Sequence, residues 1–254
     1  MATSTQEITI NSTGVIVSFL FKFFLPLISI FIWIRNYNGQ IKSFLFGLLG
    51  FICSVALESL FLGFITILID KNSNIFYTIA GICPGLFEET GKYLILKYLF
   101  SKNKQKSVSV SYGMGHGGFE SMMIGINILA ILLLKDQLIA KGALKENITL
   151  FICLMSSFER LSAFILQISL SVIVYKAIKE NKFFFYILAI IIHDVIDIIP
   201  LLKLKGIMSS IVLIELIVCF YSLCIAFFAY KLYINFDEKK EKLKNYDEEE
   251  LNVE

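Results

Sequence analysis

The chain has 254 residues, of which 57% are hydrophobic and 17% are charged, and its formal net charge is +2. Soluble domains carry roughly 25% charged residues, so this composition excludes a soluble globular protein and predicts an all-α, polytopic membrane protein. The charges lie between apolar segments or near the end of the chain, a distribution that indicates no nucleic-acid binding. The five cysteines all lie within apolar segments, which argues against a disulfide framework or a cysteine zinc site.

Seven apolar segments follow one another along the chain, and each is long enough for a spanning helix of about 20 residues. They cover residues 14–34, 41–69, 74–100, 108–134, 148–175, 183–202 and 206–234. The first segment lacks the preceding basic residues of a cleavable signal peptide, so we expect it to be retained. The sequence therefore predicts a helical bundle over residues 1–235 and a charged cytosolic tail over residues 236–254 that is either disordered or a loose helix.

The loop charges predict an orientation for this bundle. If the N-terminus is outside, the cytosolic loops hold more lysine and arginine than the outer loops, which favours an N-out, C-in arrangement. In that arrangement the polar residues of the third, fourth and sixth segments lie at similar depths, roughly 12 to 21 Å from the inner surface. We therefore expect one shared polar site in the cytosolic half of the bundle, between residues 80 and 200, that opens toward the cytosol.

The third segment contains two adjacent acids, Glu88 and Glu89, followed by Lys92. An internal ion pair is the simplest interpretation, since residues three or four apart share a helix face. One lysine cannot neutralise two glutamates, however, so one carboxylate is available for a catalytic role. Adjacent residues differ by about 100° around a helix, and we therefore expect only one of the two to face the centre of the site.

The fourth segment holds the densest motif, Y-G-M-G-H-G-G-F-E over residues 112–120. His116 is one of only two histidines in the chain, and Glu120 lies one helical turn after it on the same face. The four glycines of this motif remove side-chain bulk and allow neighbouring helices to approach closely. Because ionisable residues at membrane depth are costly, this pair is a candidate functional site.

Two further pairs occur in the fifth and sixth segments. Glu159 and Arg160 are adjacent, so we expect them to point in different directions and not to neutralise one another. Arg160 is one of two arginines in the chain, and its forked guanidinium suits a carboxylate partner. His193 and Asp197 are four residues apart, a spacing that fits either a helix-stabilising contact or two ligands of one metal ion.

Taken together, these motifs resemble the YhfC family of predicted intramembrane metalloproteases, which is grouped with the CAAX-protease, bacteriocin-processing and PrsW-like enzymes. The resemblance spans roughly residues 80–200, and its most specific element is G-H-G-G-x-E. The four motifs are F-E-E-T-G-K (87–92), G-M-G-H-G-G-F-E (113–120), F-E-R (158–160) and H-D-V-I-D (193–197).

The resemblance implies a metal-dependent hydrolysis of a membrane-associated or lipidated peptide, in the plasma membrane of a bacterium. It assigns the activation of water to Glu88, supported by Glu89 and Lys92, with Glu120 and Arg160 as further catalytic candidates. The residues that would hold a divalent metal, zinc by expectation, are His116 and His193, together with one or both of Asp197 and Glu120.

One departure from the family pattern bears on this function. Gln167, nine residues before Lys176 and thus at the depth of the other candidate residues, stands where relatives have a helix-borne histidine, and an amide is a weaker zinc ligand than imidazole. The chain could therefore be a non-catalytic relative, or a binding or immunity-type membrane protein that keeps these residues for structure. A cation- or proton-coupled transporter would also need buried acids and histidines near the membrane midplane.

Overall fold

The computed structural model describes residues 8–103, 105–144, 146–204, 208 and 210–251. These residues form helices and contain no β-strand, only an isolated bridge between Ile10 and Ile148. The helices are α1 (Ser12–Tyr37), α2 (Ile41–Leu68), α3 (Asn74–Phe100), α4 (Ser107–Leu133), α5 (Lys135–Ala140), α6 (Leu150–Lys179), α7 (Phe184–Leu204) and α8 (Ile211–Leu251). The predicted all-α class is thus confirmed.

Seven of these helices correspond to the predicted apolar segments, whereas the short helix α5 was not predicted. Among the described residues, five helices are long and apolar enough to cross a membrane: α1, α2, α4, α6 and α8 as far as Phe236. The expected number of seven spans is not established by this criterion, because α3 and α7, which carry several of the candidate residues, do not meet it. Helix α8 continues to Leu251, but the side chains of the expected tail from residue 237 onward lie outside the described part of the chain.

Local sequence explains where three of the helices begin. Asn11, Ser73 and Thr149 each precede a helix and accept a hydrogen bond from a backbone N–H of its first turn, at 2.7, 3.1 and 3.2 Å. Such side chains satisfy N–H groups that have no partner inside the helix. These caps fix the starts of α1, α3 and α6.

Helix α4 lies inside the bundle, in contact with α1, α2 and α6. Its glycines face different neighbours: a Cβ on Gly117 would lie 2.6 Å from Cβ of Gln167 on α6, and one on Gly118 would lie 2.9 Å from Cβ of Pro26 on α1. A Cβ on Gly115 would collide with the carbonyl of Phe44 on α2. The glycine-rich motif therefore lets three helices pack closely around α4, and it carries His116 into the interior.

Two contacts identify the ends of the bundle. At the N-terminal end, the backbone N–H of Asn11 donates to the carbonyl of Ile148 (2.8 Å), which ties the start of α1 to the start of α6. At the opposite end, Lys179 of α6 donates to the carbonyl of Asn103 in the connection between α3 and α4 (2.6 Å). This second end, which also carries Arg35, Lys42, Lys102 and Lys106, is called the basic end below.

Candidate functional site

Glu88 on α3 lies between the chain's two histidines. Its Oε2 atom is 2.8 Å from Nε2 of His116 on α4 and 3.9 Å from Nε2 of His193 on α7. The same oxygen accepts a hydrogen bond from Nε2 of Gln167 on α6, at 2.9 Å. All four side chains are buried. Four helices therefore bring their polar residues to one carboxylate, as the common depth of these residues predicted.

Glu89 also reaches the site. Its Oε1 atom accepts from Lys92 Nζ (2.5 Å) and lies 2.7 Å from Nδ1 of His193. The expectation that only one of the two adjacent glutamates can face the site is therefore wrong. The physical reason is that the site has width: the side chains of His116 from α4 and His193 from α7 approach α3 from different directions, so each of the two diverging glutamates meets an imidazole.

Gln167 connects these groups through both ends of its amide. Its Oε1 atom accepts from Lys92, while its Nε2 atom donates to Glu88 (2.9 Å) and to Oε2 of Glu120 (3.1 Å). The amide thus has its carbonyl toward the cation and its N–H groups toward two carboxylates. The structure places Gln167 within the site, as its depth in the sequence predicted.

Arg160 holds two acids at the edge of the site. Its NH1 atom donates to Oε1 of Glu120 on α4 (2.6 Å), which agrees with the predicted carboxylate partner. It also pairs with Glu159, where Nε donates to Oε2 at 2.7 Å. The expectation that these adjacent residues do not neutralise one another is therefore wrong, because both side chains are long enough to bend toward each other. Glu120 consequently has one oxygen bound to Arg160 and the other to Gln167.

Lys22 on α1 is a buried charge beside the site that sequence reasoning missed. Its side chain is fully enclosed, and Nζ donates to Oγ of Ser156 on α6 at 2.7 Å. Ser156 lies one helical turn before Arg160 on the same helix. The available signal was a single lysine near the middle of the first apolar segment, where the cost of a charge requires a polar partner.

A cavity of about 400 Å³, called the site cavity below, adjoins these residues. Its polar wall includes Glu120, Arg160, Gln167, His193 and Asp197, and Glu88 lies just behind that wall. The lining also reaches Ile152 near the start of α6 and Ile211 at the start of α8. The site cavity therefore extends toward the N-terminal end of the bundle. In the N-out orientation this is the outer end, so the cavity does not lie on the side where a cytosolic opening was expected.

The residues present match a divalent metal in donor type, since two imidazoles and nearby carboxylates are common zinc ligands. Ligands of a tetrahedral zinc ion lie about 3.4 Å apart, given bonds of about 2.1 Å. The separation between His193 and Asp197, 3.5 Å, matches this value, whereas Glu88 lies between the two histidines, at 2.8 Å from His116 and 3.9 Å from His193. Within the described ranges, however, no three His, Cys, Asp or Glu side chains already form a group that could hold an ion.

Charge balance gives a second test of the same question. The buried Oδ2 atom of Asp197 has no hydrogen-bond partner among the described residues, a position that a cation would satisfy. Acids outnumber permanent cations at the centre of the site, and a divalent ion would offset the excess negative charge. The acids are Glu88, Glu89, Glu120 and Asp197, and the permanent cations are Lys92 and Arg160. The donor set therefore fits a divalent cation in type and charge, although side chains around Glu88 must adjust to surround one.

Known proteins resemble this chain along most of its length. The sequence profile of the family described as YhfC intramembrane metalloprotease matches residues 21–218, a range that contains every candidate site residue. The chain is also 25% identical to the uncharacterized membrane protein YhfC of Bacillus subtilis (strain 168). That alignment covers 77% of this chain and 86% of the Bacillus protein. Together with the five apolar helices, these matches identify a multi-pass membrane protein.

Proposed function

Because the chain belongs to the YhfC intramembrane metalloprotease family, we propose that it is a metal-dependent endopeptidase of the bacterial plasma membrane. Its substrate would be a membrane-associated or lipidated peptide, cleaved at the site cavity. The observation that carries the proposal is the position of Glu88, whose Oε2 atom lies 2.8 and 3.9 Å from the Nε2 atoms of the only two histidines. A carboxylate held between two imidazoles beside a cavity has the composition of a hydrolytic metal site.

His116, His193 and Asp197 are the residues that would hold the metal. Glu120 was expected as a further ligand, but both of its oxygens already accept hydrogen bonds, from Arg160 and Gln167. Glu120 would instead keep Gln167 in place. When bound, the ion would supply a Lewis acid that polarises the scissile carbonyl and activates water.

Glu88 would act as the general base. It accepts a proton from the attacking water as the carbon–oxygen bond forms, and it returns that proton to the leaving amine as the carbon–nitrogen bond breaks. Glu88 is buried behind Gln167 and His193, so a water molecule in the site cavity must approach it past these two side chains.

The other acids and cations would position these groups. Glu89 accepts from Lys92 and contacts Nδ1 of His193, so it would fix the imidazole with Nε2 toward Glu88 and the cavity. A carboxylate partner of this kind orients a histidine ligand and increases its basicity. Arg160 would hold Glu120 in place through one of its oxygens, while the other oxygen accepts from Gln167.

Metal content tests the proposal directly. Protein purified in detergent is analysed by elemental mass spectrometry after incubation with zinc and dialysis, and stoichiometric metal is expected. The double variant His116→Ala/His193→Ala should lose it, whereas Asp70→Asn, at an exposed loop position, should retain it. Absence of metal in the wild-type protein would overturn the metal-dependent mechanism.

A second measurement does not depend on how the double variant folds. The chain contains only two histidines, so protein labelled with nitrogen-15 at histidine has two imidazole side chains to observe by NMR. Both sets of ring signals should shift when zinc is added. If neither shifts, the histidines do not bind the ion.

A proton-coupled transporter is the second candidate function. It is favoured by one observation, the series of titratable side chains that runs from Glu89 through His193 and Glu88 to His116. Such a series could pass protons without any bound metal. Proton uptake by reconstituted vesicles that persists after metal removal, with no cleavage of membrane-anchored peptides, would favour the transporter over the protease.

A further inference from the structure

Ser156 and Lys22 form a second group of reactive type at the site cavity. Ser156, in the second turn of α6, lines the cavity and is half-buried. Nζ of Lys22 on α1 lies 2.7 Å from Oγ of Ser156, and the lysine side chain is fully enclosed behind this hydroxyl. A serine thus opens into the cavity with a lysine held directly against it.

The hydroxyl of Ser156 differs from those of the other serines in α6. A serine inside a helix commonly donates to the carbonyl four residues before it. Four serines of α6 do so: Ser157, Ser162, Ser169 and Ser171. Ser156 has Lys22 as its hydrogen-bond partner instead. Its hydroxyl is therefore available for a reaction in the cavity.

Lys22 forms no ion pair among the residues that the structure describes. Glu159 on α6 uses both of its oxygens for Arg160. The fully enclosed Lys92, by contrast, is paired with Glu89. A buried lysine without a carboxylate partner is suited to act as a general base, because no counter-charge in contact stabilises its ammonium form.

Arg160 supplies hydrogen-bond donors to the same part of the cavity. It lies one helical turn after Ser156 and also lines the cavity. Three of its five N–H groups bind Glu120 and Glu159, which leaves two that can donate to an oxygen in the cavity. When a hydroxyl attacks a carbonyl, negative charge develops on the carbonyl oxygen, and donors beside that oxygen stabilise it.

We propose that Ser156 and Lys22 form a serine–lysine catalytic dyad, which hydrolyses an ester or amide of an apolar, membrane-associated carboxylic acid. Such pairs are a variant of the serine–histidine arrangement. The apolar part of the cavity lining, which includes Leu166, Ile214 and Val218, accommodates the acyl group. The dyad needs no metal ion, so this activity is separate from the peptidase function, although both use the site cavity.

The reaction has two steps. In the first, Oγ of Ser156 forms a bond to the carbonyl carbon while its proton passes to the neutral amine of Lys22. The bond from that carbon to the leaving oxygen or nitrogen then breaks, and the leaving group takes the proton from Lys22. In the second, water attacks the resulting ester, Lys22 takes a proton from this water, and the proton returns to Oγ as the carboxylic acid leaves.

A fluorophosphonate with an alkyl chain tests the nucleophile, because it bonds to an activated serine oxygen as fluoride leaves. The full-length protein in detergent is incubated with this probe, and the labelled residue is mapped by peptide mass spectrometry. Ser156 should carry the label, and Ser156→Ala should remove it. Ser157→Ala is the matched control and should be labelled like the wild-type protein, since the Ser157 hydroxyl is bonded to the Cys153 carbonyl and to Ser18. A wild-type protein without label at Ser156 would overturn the proposal.

The rate of labelling tests the base. Lys22→Met removes the amine and should slow labelling by about 100-fold or more, the usual contribution of a general base. Lys22→Arg keeps a cation beside the hydroxyl but cannot accept its proton, so it should slow labelling as strongly. Labelling of Lys22→Arg at the wild-type rate would show that the lysine is only structural. The mapping in the wild-type protein remains decisive if either variant fails to fold.

A chelator separates this activity from the metal-dependent one. After metal removal, labelling of Ser156 and hydrolysis of 4-nitrophenyl octanoate should continue at the same rates, whereas metal-dependent peptide cleavage should stop. Labelling that requires added zinc would overturn the dyad. Labelling and ester hydrolysis in a protein that binds no zinc would support the dyad while the metallopeptidase proposal fails.

Discussion

Glu88 and Glu89 are adjacent in the chain but have different partners. Glu88 contacts His116, His193 and Gln167 and lies next to the site cavity. Glu89 shares a buried ion pair with Lys92 and contacts the far nitrogen of the His193 ring. The two carboxylates therefore differ in what their charge does, and the same substitution at each position should have different consequences.

We predict that Glu88→Gln lowers peptidase activity by about 100-fold or more, the usual contribution of a general base, while the protein remains folded. Glu89→Gln should instead lower stability by about 3 kcal/mol or more, since it leaves the fully buried Lys92 without its counter-charge. The measurements are cleavage of a membrane-anchored peptide and thermal unfolding in detergent.

Comparison of the two variants makes this prediction specific. Activity per folded molecule should fall much further in Glu88→Gln than in Glu89→Gln. Full activity of Glu88→Gln would remove the general-base assignment, and an unchanged melting temperature for Glu89→Gln would contradict the buried ion pair.

The second prediction concerns Gln167, which stands where the family pattern has a histidine. Gln167→His would place an imidazole next to Glu88, and we expect zinc to bind about tenfold more tightly, because imidazole is a better ligand than an amide. Calorimetric titration of metal-free protein would measure this change.

Gln167→Leu is the matched control for that substitution. It removes the same hydrogen bonds to Lys92, Glu88 and Glu120 but adds no ligand. If zinc affinity rises equally in both variants, the cause is the release of Glu88 from its hydrogen bond with Gln167 and not the new imidazole.

At the residue scale, the sequence predicted which side chains meet but not how they pair. Depth along the helices placed Glu88, His116, Gln167 and His193 at one level, and the structure brings them together. Helical periodicity describes only the directions in which side chains leave the backbone. It could not anticipate that the long side chains of Glu159 and Arg160 turn back toward each other.

At the scale of the helix, α4 depends on glycines that admit its neighbours. We predict that Gly115→Ala destabilises the protein by about 1 to 3 kcal/mol, because the added methyl group would collide with the backbone carbonyl of Phe44 on α2. Thermal unfolding in detergent would measure the loss.

A matched glycine tests whether position or residue type causes that loss. Gly63 on α2 has open space where its Cβ would be, so Gly63→Ala should leave the melting temperature unchanged or slightly raised. If both substitutions destabilise the protein equally, the close contact between α4 and α2 is not the cause of the loss.

Helix positions were predicted well because spanning segments are long apolar stretches with polar ends. The start of α3 at Asn74 and its end at Phe100 match the predicted 74–100 segment. The six-residue helix α5 was missed because it is too short to show a hydrophobic period. The direction of the site cavity was also missed, since depth along a helix does not say which side of the bundle leaves space between its side chains.

At the scale of the whole molecule, the loop charges predict that the basic end faces the cytosol. We expect a single cysteine at Lys102, introduced into a chain whose five native cysteines are replaced, to resist membrane-impermeant thiol reagents in intact cells. A cysteine at Lys71, in the connection between α2 and α3 at the opposite end, should react. Labelling of the residue-102 cysteine but not the residue-71 cysteine would reverse the orientation.

This outcome also decides where a peptide reaches the site. The site cavity extends toward the end of the bundle where α1 and α6 begin. In the N-out orientation, a substrate would therefore arrive from the outer leaflet or the outer surface. In the reversed orientation the same cavity would receive cytosolic peptides.

The polar composition of α3 has a consequence for how the protein is made. A charged side chain at the centre of a helix costs on the order of 2.5 to 3.5 kcal/mol to transfer into the bilayer, and α3 holds Glu88, Glu89 and Lys92 near its middle. Lys92 and Glu89 form an ion pair within α3 itself. The histidines and Gln167, which satisfy the remaining polar groups, belong to helices that are synthesised later. We therefore expect α3 to stay at the translocon beside the apolar α2, and to enter the lipid phase only after α4, α6 and α7 have left the ribosome.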